Sequence, residues 1–206
     1  MRSTHQSTNG IAAALLVAAA AILGAAPSTT TRGHALHEPH TTRPAAAVTD
    51  PQIAAIVVAA NSVDIEAGKL AQSKTKNEKV KQFADTMVND HTAVNKSAVE
   101  LVTRLGVTPE ESETSRGLTA SGEQTRTRLG ALSGENFDRE YIANEVAYHK
   151  LVLDALDKTL IPNAKNADLK ATLVSVRPAF VAHLKHAEQI QAELGGKKQG
   201  KGKHKH

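Results

Sequence analysis

The stretch VKQFADTMVNDHTAVNKSAVELVTRLG, residues 80–106, sets Val80, Phe83, Met87, Val94, Ala98, Leu101 and Leu105 in one series, with His91 filling its single gap. Steps of three and four residues place all eight side chains on one face of an α-helix. Gly106 closes the segment, because glycine readily takes the left-handed conformation that ends helices, and Pro109 breaks any continuation. The spacing therefore predicts an amphipathic helix whose buried stripe contains an imidazole.

Three more segments have the same period. Asp50 and Pro51 read as an N-cap and a first helical residue. Ile53, Ile56, Ala60, Val63, Ala67 and Leu70 then give a first helix of about residues 51–73. Ile142, Val146, His149, Leu153, Leu156 and Leu160 give a third, expected to stop before Pro162. Leu169, Leu173, Val176, Phe180, His183, Ala187, Ile190 and Leu194 give a fourth, expected to end at Gly195-Gly196. Pro178 lies inside it and should kink it, since proline removes a backbone hydrogen bond. No segment alternates as a strand does. The first and last pairs of helices are joined by a few residues, so each pair is an antiparallel hairpin. The link between helices two and three spans 106–134, and LTASGEQTRTRLGAL (118–132) can form a short helix within it. The fold class is all-α: a ferritin-like four-helix bundle over 50–194, with a long crossover between helices two and three.

The ends differ from the body. Arg2 followed by IAAALLVAAAAILGAA (11–26) reads as a signal peptide ending after Ala26 or Ala35, with an uncleaved membrane anchor as the alternative. The apolar run is shorter than the roughly 20 residues of a membrane-spanning helix. Residues 36–49 form a Pro/Thr-rich linker. Cysteine is absent, so the stability of an exported protein must come from core packing.

Five lysines, Lys197, Lys198, Lys201, Lys203 and Lys205, crowd the tail 195–206, and three arginines precede the bundle. Residues 50–194 therefore hold 17 basic against 20 acidic residues, and the net charge of +4 resides at the ends. A Gly/Lys tail is expected to be disordered, either merely solvated or in contact with an anionic envelope polymer or lipid surface. With five aromatic residues in all and no phosphate-binding glycine loop, nothing specifies nucleic acid.

FADTMVNDH (83–91) and YIANEVAYH (141–149) share an aromatic start, a valine five positions later and a final histidine. His91, His149 and His183 all fall on apolar stripes, where leucine would pack without polar cost. Each needs a hydrogen-bond partner or a metal. Glu145 and His149, four apart, share a helix face. Counting back from a turn at 162–165 puts His183 level with Glu145. Glu145, His149 and His183, with His186 from the HLKH segment, could hold a single divalent metal such as zinc. His91 and Glu66 are weaker members: the count over the first hairpin leaves Glu66 roughly 10 Å from His91 at 1.5 Å per residue. The alternative is that the histidines are core residues, hydrogen-bonded to Glu145, Tyr141, Tyr148 or one another. A di-iron centre requires Glu-x-x-His pairs, and Val88 and Phe180 stand where those glutamates belong.

FADTMVNDHTAVN (83–95), LGVT (105–108), SGENFDREYIANEVAYH (133–149) and VRPAFVAHLKHA (176–187) resemble an exported bacterial family, domain of unknown function 4142. The resemblance covers residues 49–194, departs from the family pattern where MVNDH becomes EVAYH, and implies a ferritin-like fold without an established activity. The reading is a non-enzymatic envelope protein with a role in stress tolerance. A metal-binding or metal-storing bundle is the alternative, and a ferritin-like redox enzyme the third.

Overall fold

The structure, a computed structural model, describes residues 47–200. The signal segment, most of the linker, and Lys201, Lys203 and Lys205 lie outside the described residues.

Four long helices form the bundle: α1 (Asp50–Lys74), α2 (Glu78–Arg104), α4 (Gly134–Ala155) and α6 (Ala167–Gly200). α3 (Glu113–Gly130) lies in the crossover, and α5 (Ile161–Asn163) is a single turn before the last hairpin. Among the described residues there is no strand. α1 packs between α2 and α4, and α6 also packs on both, which closes the four-helix ring. The chain leaves the end of α2 with Glu110 N–H bonded to the Pro51 carbonyl (3.0 Å), near the start of α1. It returns with Lys74 Nζ on the Gly130 carbonyl (2.5 Å), at the other end of α1. α3 therefore runs the length of α1 on its outer side, as a ferritin-like crossover does.

Local chemistry fixes the ends. Gly106, at φ +64°, closes α2 as expected. At α1 the cap is Thr49, not Asp50: Thr49 Oγ1 accepts from Gln52 N–H, and Gln52 Oε1 accepts from Thr49 N–H. The Asp50 carboxylate instead accepts from Lys165 N–H (2.9 Å) and Asn166 N–H (2.8 Å), tying the α5–α6 turn to the start of α1.

α4 starts at Gly134, where the expected 106–134 link ends, but two other expected boundaries move. α4 does not stop before Pro162, because a π-helical turn at Leu156–Leu160 carries the chain into α5 with Pro162 inside it. A π turn widens the helix and accommodates proline's missing N–H, and the hairpin closes later as a result. α6 passes through Gly195-Gly196 to Gly200. Each glycine costs about 1 kcal/mol relative to alanine, which penalises a helix without ending it. The preceding turn is anchored by buried Leu194, by Arg139 on the Leu194 carbonyl, and by the Lys79–Glu193 ion pair (2.6 Å). The first part of the tail, including Lys197 and Lys198, is thus helical in its backbone.

The core is not continuous. One apolar cluster gathers Phe83, Met87, Leu129, Phe137, Tyr141 and Ile190 toward the α1–α2 turn. A second gathers Ile53, Ile56, Leu101, Leu156, Leu173 and Phe180 toward the opposite end. The buried polar residues Asn61, Asp64, His91, Glu145, His149 and His183 come from the same four helices, at positions between the two clusters.

Candidate metal centre

Each of the four long helices contributes to this layer: Asn61 and Asp64 from α1, His91 from α2, Glu145 and His149 from α4, and His183 from α6. The rings of His91, His149 and His183 meet pairwise with centroids 5.4–5.7 Å apart. Phe180 stacks on His91 at 5.1 Å and closes one side.

Hydrogen bonds fix the tautomers. The Asn61 amide nitrogen donates to the Val57 carbonyl (2.7 Å), which turns Asn61 Oδ1 toward His91. His91 Nδ1–H therefore donates to it at 2.7 Å. His149 Nδ1–H donates to the Glu145 main-chain carbonyl at 3.0 Å, and His183 Nε2–H donates to Asp90 Oδ2 at 2.9 Å. The remaining nitrogens, His91 Nε2, His149 Nε2 and His183 Nδ1, are buried, and none has a hydrogen-bond partner while Asp64 is ionised. Each carries a lone pair in the neutral ring.

The carboxylates face the same interior. Asp64 Oδ2 lies 3.1 Å from His91 Nε2 and 3.6 Å from His149 Nε2, and Glu145 Oε2 lies 3.7 Å from His149 Nδ1. Asp64, Glu145 and His149 are each only 1% exposed. Burial pushes the Asp64 carboxyl up to about 7. Burial, reinforced by the Asp64 charge, holds Glu145 well above the usual carboxylate range. Burial, with the neighbouring imidazoles, depresses His91 to about 3. His149 falls to about 4, again chiefly by burial. The short His91–Asp64 contact is thus a neutral carboxyl–imidazole pair rather than an ion pair. It needs one proton between two acceptors. When that proton leaves, lone pair faces lone pair. No lysine or arginine is among the buried residues described.

One ligand atom from each of His91, His149 and His183 can be chosen so that all lie within 4.8 Å of one another. The same is true of Asp64, Glu145 and His149. Three imidazoles and a carboxylate form a common donor set for zinc and its neighbours. Their outward N–H groups are already bound to an amide, a main-chain carbonyl and a carboxylate, as ligating histidines usually require.

The structure brings His149 and His183 together with His91, places Glu145 beside His149 in a second group with Asp64, and separates His186 and Glu66 from both. His186 is exposed, with its ring against Phe83 at 5.4 Å. Glu66 faces outward and pairs with Lys69 (2.9 Å) and Arg126 (3.7 Å). The late hairpin also makes His149 rather than Glu145 the neighbour of His183. Asp64 escaped the sequence reading, because α1 is covered on two sides. Val63 turns to α3, while Ala54, Asn61, Asp64, Gly68 and Ala71 line the interior. A second helical series through that second face was the available signal. The expected hydroxyl partners are also absent: Tyr148 Oη donates to the Ala60 carbonyl (2.8 Å), and Tyr141 Oη has no hydrogen-bond partner.

Residues 35–190 match the family described as domain of unknown function DUF4142. The chain belongs to this family. Among solved structures, a Streptomyces coelicolor protein described as secreted and assigned to DUF305 is similar to this chain. The TM-score is 0.60 at 12% identity, covering 70% of this chain and 92% of that one. At that identity the likeness speaks for the fold alone. No curated protein matches. This DUF4142 member therefore shares its helical architecture with a second family of unknown function. No helix among its described residues is long and apolar enough to cross a membrane.

Proposed function

We propose that this DUF4142 protein is an exported helical bundle that binds one borderline divalent cation, zinc or a first-row neighbour, in the polar layer at mid-bundle. His91, His149, His183 and Asp64 are the ligands, and Glu145 is the nearby carboxylate that balances charge. One observation carries the reading: buried acceptors from four helices converge with too few protons to satisfy them and no buried lysine or arginine to neutralise them. Isolated unpaired polar groups in a core cost free energy, whereas a cation satisfies several at once. Export rests on the signal-like N-terminus, and binding or storage needs no reacting substrate. The lysines of the tail are assigned to electrostatic contact with anionic envelope polymer or lipid.

The test uses the chain with His204 and His206 replaced by serine, so that the tail cannot bind metal. Zinc, manganese and ferrous iron are titrated while the melting temperature is followed. Zinc is expected to raise it by mass action on the folded state, and His149→Gln to abolish the rise. The rise should shrink as pH falls, because protons compete for the imidazole lone pairs. If none of the three ions has an effect, a helical envelope scaffold remains.

A further inference from the structure

The three imidazoles are tethered differently. His91 is held by Asn61, which is 3% exposed, and His149 by the main chain of its own helix. His183 is held by Asp90, whose side chain is 50% exposed. The inner carboxylates and the other two histidines lie deeper than His183, which is itself 6% exposed. His183 is therefore the point at which the buried donor set comes nearest to solvent, at the seam between α2 and α6. Its neighbour one turn along α6, His186, is exposed on the same seam.

We propose that His183 is the door of the cation site and that Asp90 is its latch, an inference that rests on the metal-binding reading. While Asp90 accepts from Nε2–H, the ring is held with Nδ1 turned inward and the site is closed. When that bond opens, the imidazole turns on its side-chain torsions toward the seam. Its Nδ1 lone pair then meets a hydrated cation at the surface, where the Asp90 carboxylate supplies negative charge. The return of the ring delivers the ion to His91, His149 and Asp64, and the Asp90 bond re-forms. Asp90 touches no ion in the closed state. It acts through His183 and is a positioning residue. The other tethers are less exposed: Asn61 is 3% exposed, and His149 is held by the main chain of its own helix.

A latch and a simple ligand support make different kinetic predictions. Removing a latch speeds both entry and exit, whereas weakening a ligand speeds exit alone. The experiment measures zinc uptake and chelator-driven zinc release in the full chain with His204→Ser and His206→Ser. It is run in about 0.5 M salt, where exposed charge no longer steers the ion. Asp90→Ala is expected to accelerate both rates by roughly tenfold, the size set by losing one hydrogen bond to a charged acceptor. Asp90→Asn retains an acceptor for Nε2–H and should stay near the parent rates. Circular dichroism confirms that both variants fold. An unchanged uptake rate in Asp90→Ala, with zinc still bound, overturns the latch and leaves the metal site intact. Failure of the parent chain to bind zinc at all overturns the metal reading, and the door with it.

Discussion

His91, His149 and Asp64 pull the pH dependence of stability in opposite directions. The two histidines sit near 3 and 4 in the fold, below the ordinary 6.5. As pH falls below about 6.5 the unfolded chain takes up protons that the native state refuses, so their contribution is lost on acidification. Asp64 is raised from 3.8 to about 7. Its native carboxyl keeps a proton that the unfolded chain releases, so its contribution is complete below 3.8 and lost as pH rises through 7. Each unit of displacement corresponds to about 1.4 kcal/mol. Melting temperatures of metal-free protein between pH 4 and 8 should separate the two. Asp64→Asn should gain on the parent as pH rises, and His149→Gln should gain as pH falls. Parallel curves for all three proteins would mean that these groups titrate normally. The layer's three histidines were legible because each falls within an apolar series, and Glu145 because it stands four residues before His149. Asp64 was not, since it lies on a face that appears polar until α3 covers the other side of α1.

The register of whole elements was harder to read than their existence. All four long helices were visible in the period of their apolar residues, and the α3 segment in the length of the crossover. The π turn at Leu156–Leu160 was not, because its residues suit an α-helix equally well, and that turn displaced the expected neighbour of His183. The α1–α3 contact supports a matched prediction. A Cβ on Gly122 would meet Val63 Cγ2 at 2.6 Å, whereas one on Gly117 would meet nothing within 4 Å. Gly122→Leu is therefore expected to destabilise by about 1–3 kcal/mol through overpacking. Gly117→Ala should stabilise by about 0.5–1 kcal/mol through helix propensity and a less flexible unfolded chain. Urea denaturation of the two variants decides it. Equal effects would show that α3 does not press on α1.

Across the molecule, charge and packing divide the labour between the ends and the middle. The tail lysines begin in the last turns of α6, so the basic segment extends from a bundle end rather than from a loop. Deleting 201–206 and replacing Lys197 and Lys198 by glutamine should remove salt-sensitive adhesion to anionic vesicles and leave the melting temperature unchanged. Adhesion that persists at high salt would exclude electrostatics as its cause. The polar layer has a different consequence. Apolar contact is what makes a small domain melt as one unit, and here it is interrupted midway along all four long helices. The metal-free bundle should therefore consist of two cooperative units sharing four backbones, with unequal opening free energies. Amide exchange near Leu101 and Leu173 should differ from that near Phe83 and Ile190 without zinc, and the two sets should converge when zinc is added. A single exchange class in both conditions would show that the helices alone couple the halves. If the classes merge on loading, the cation acts as the missing piece of the core, turning two loosely joined folding units into one.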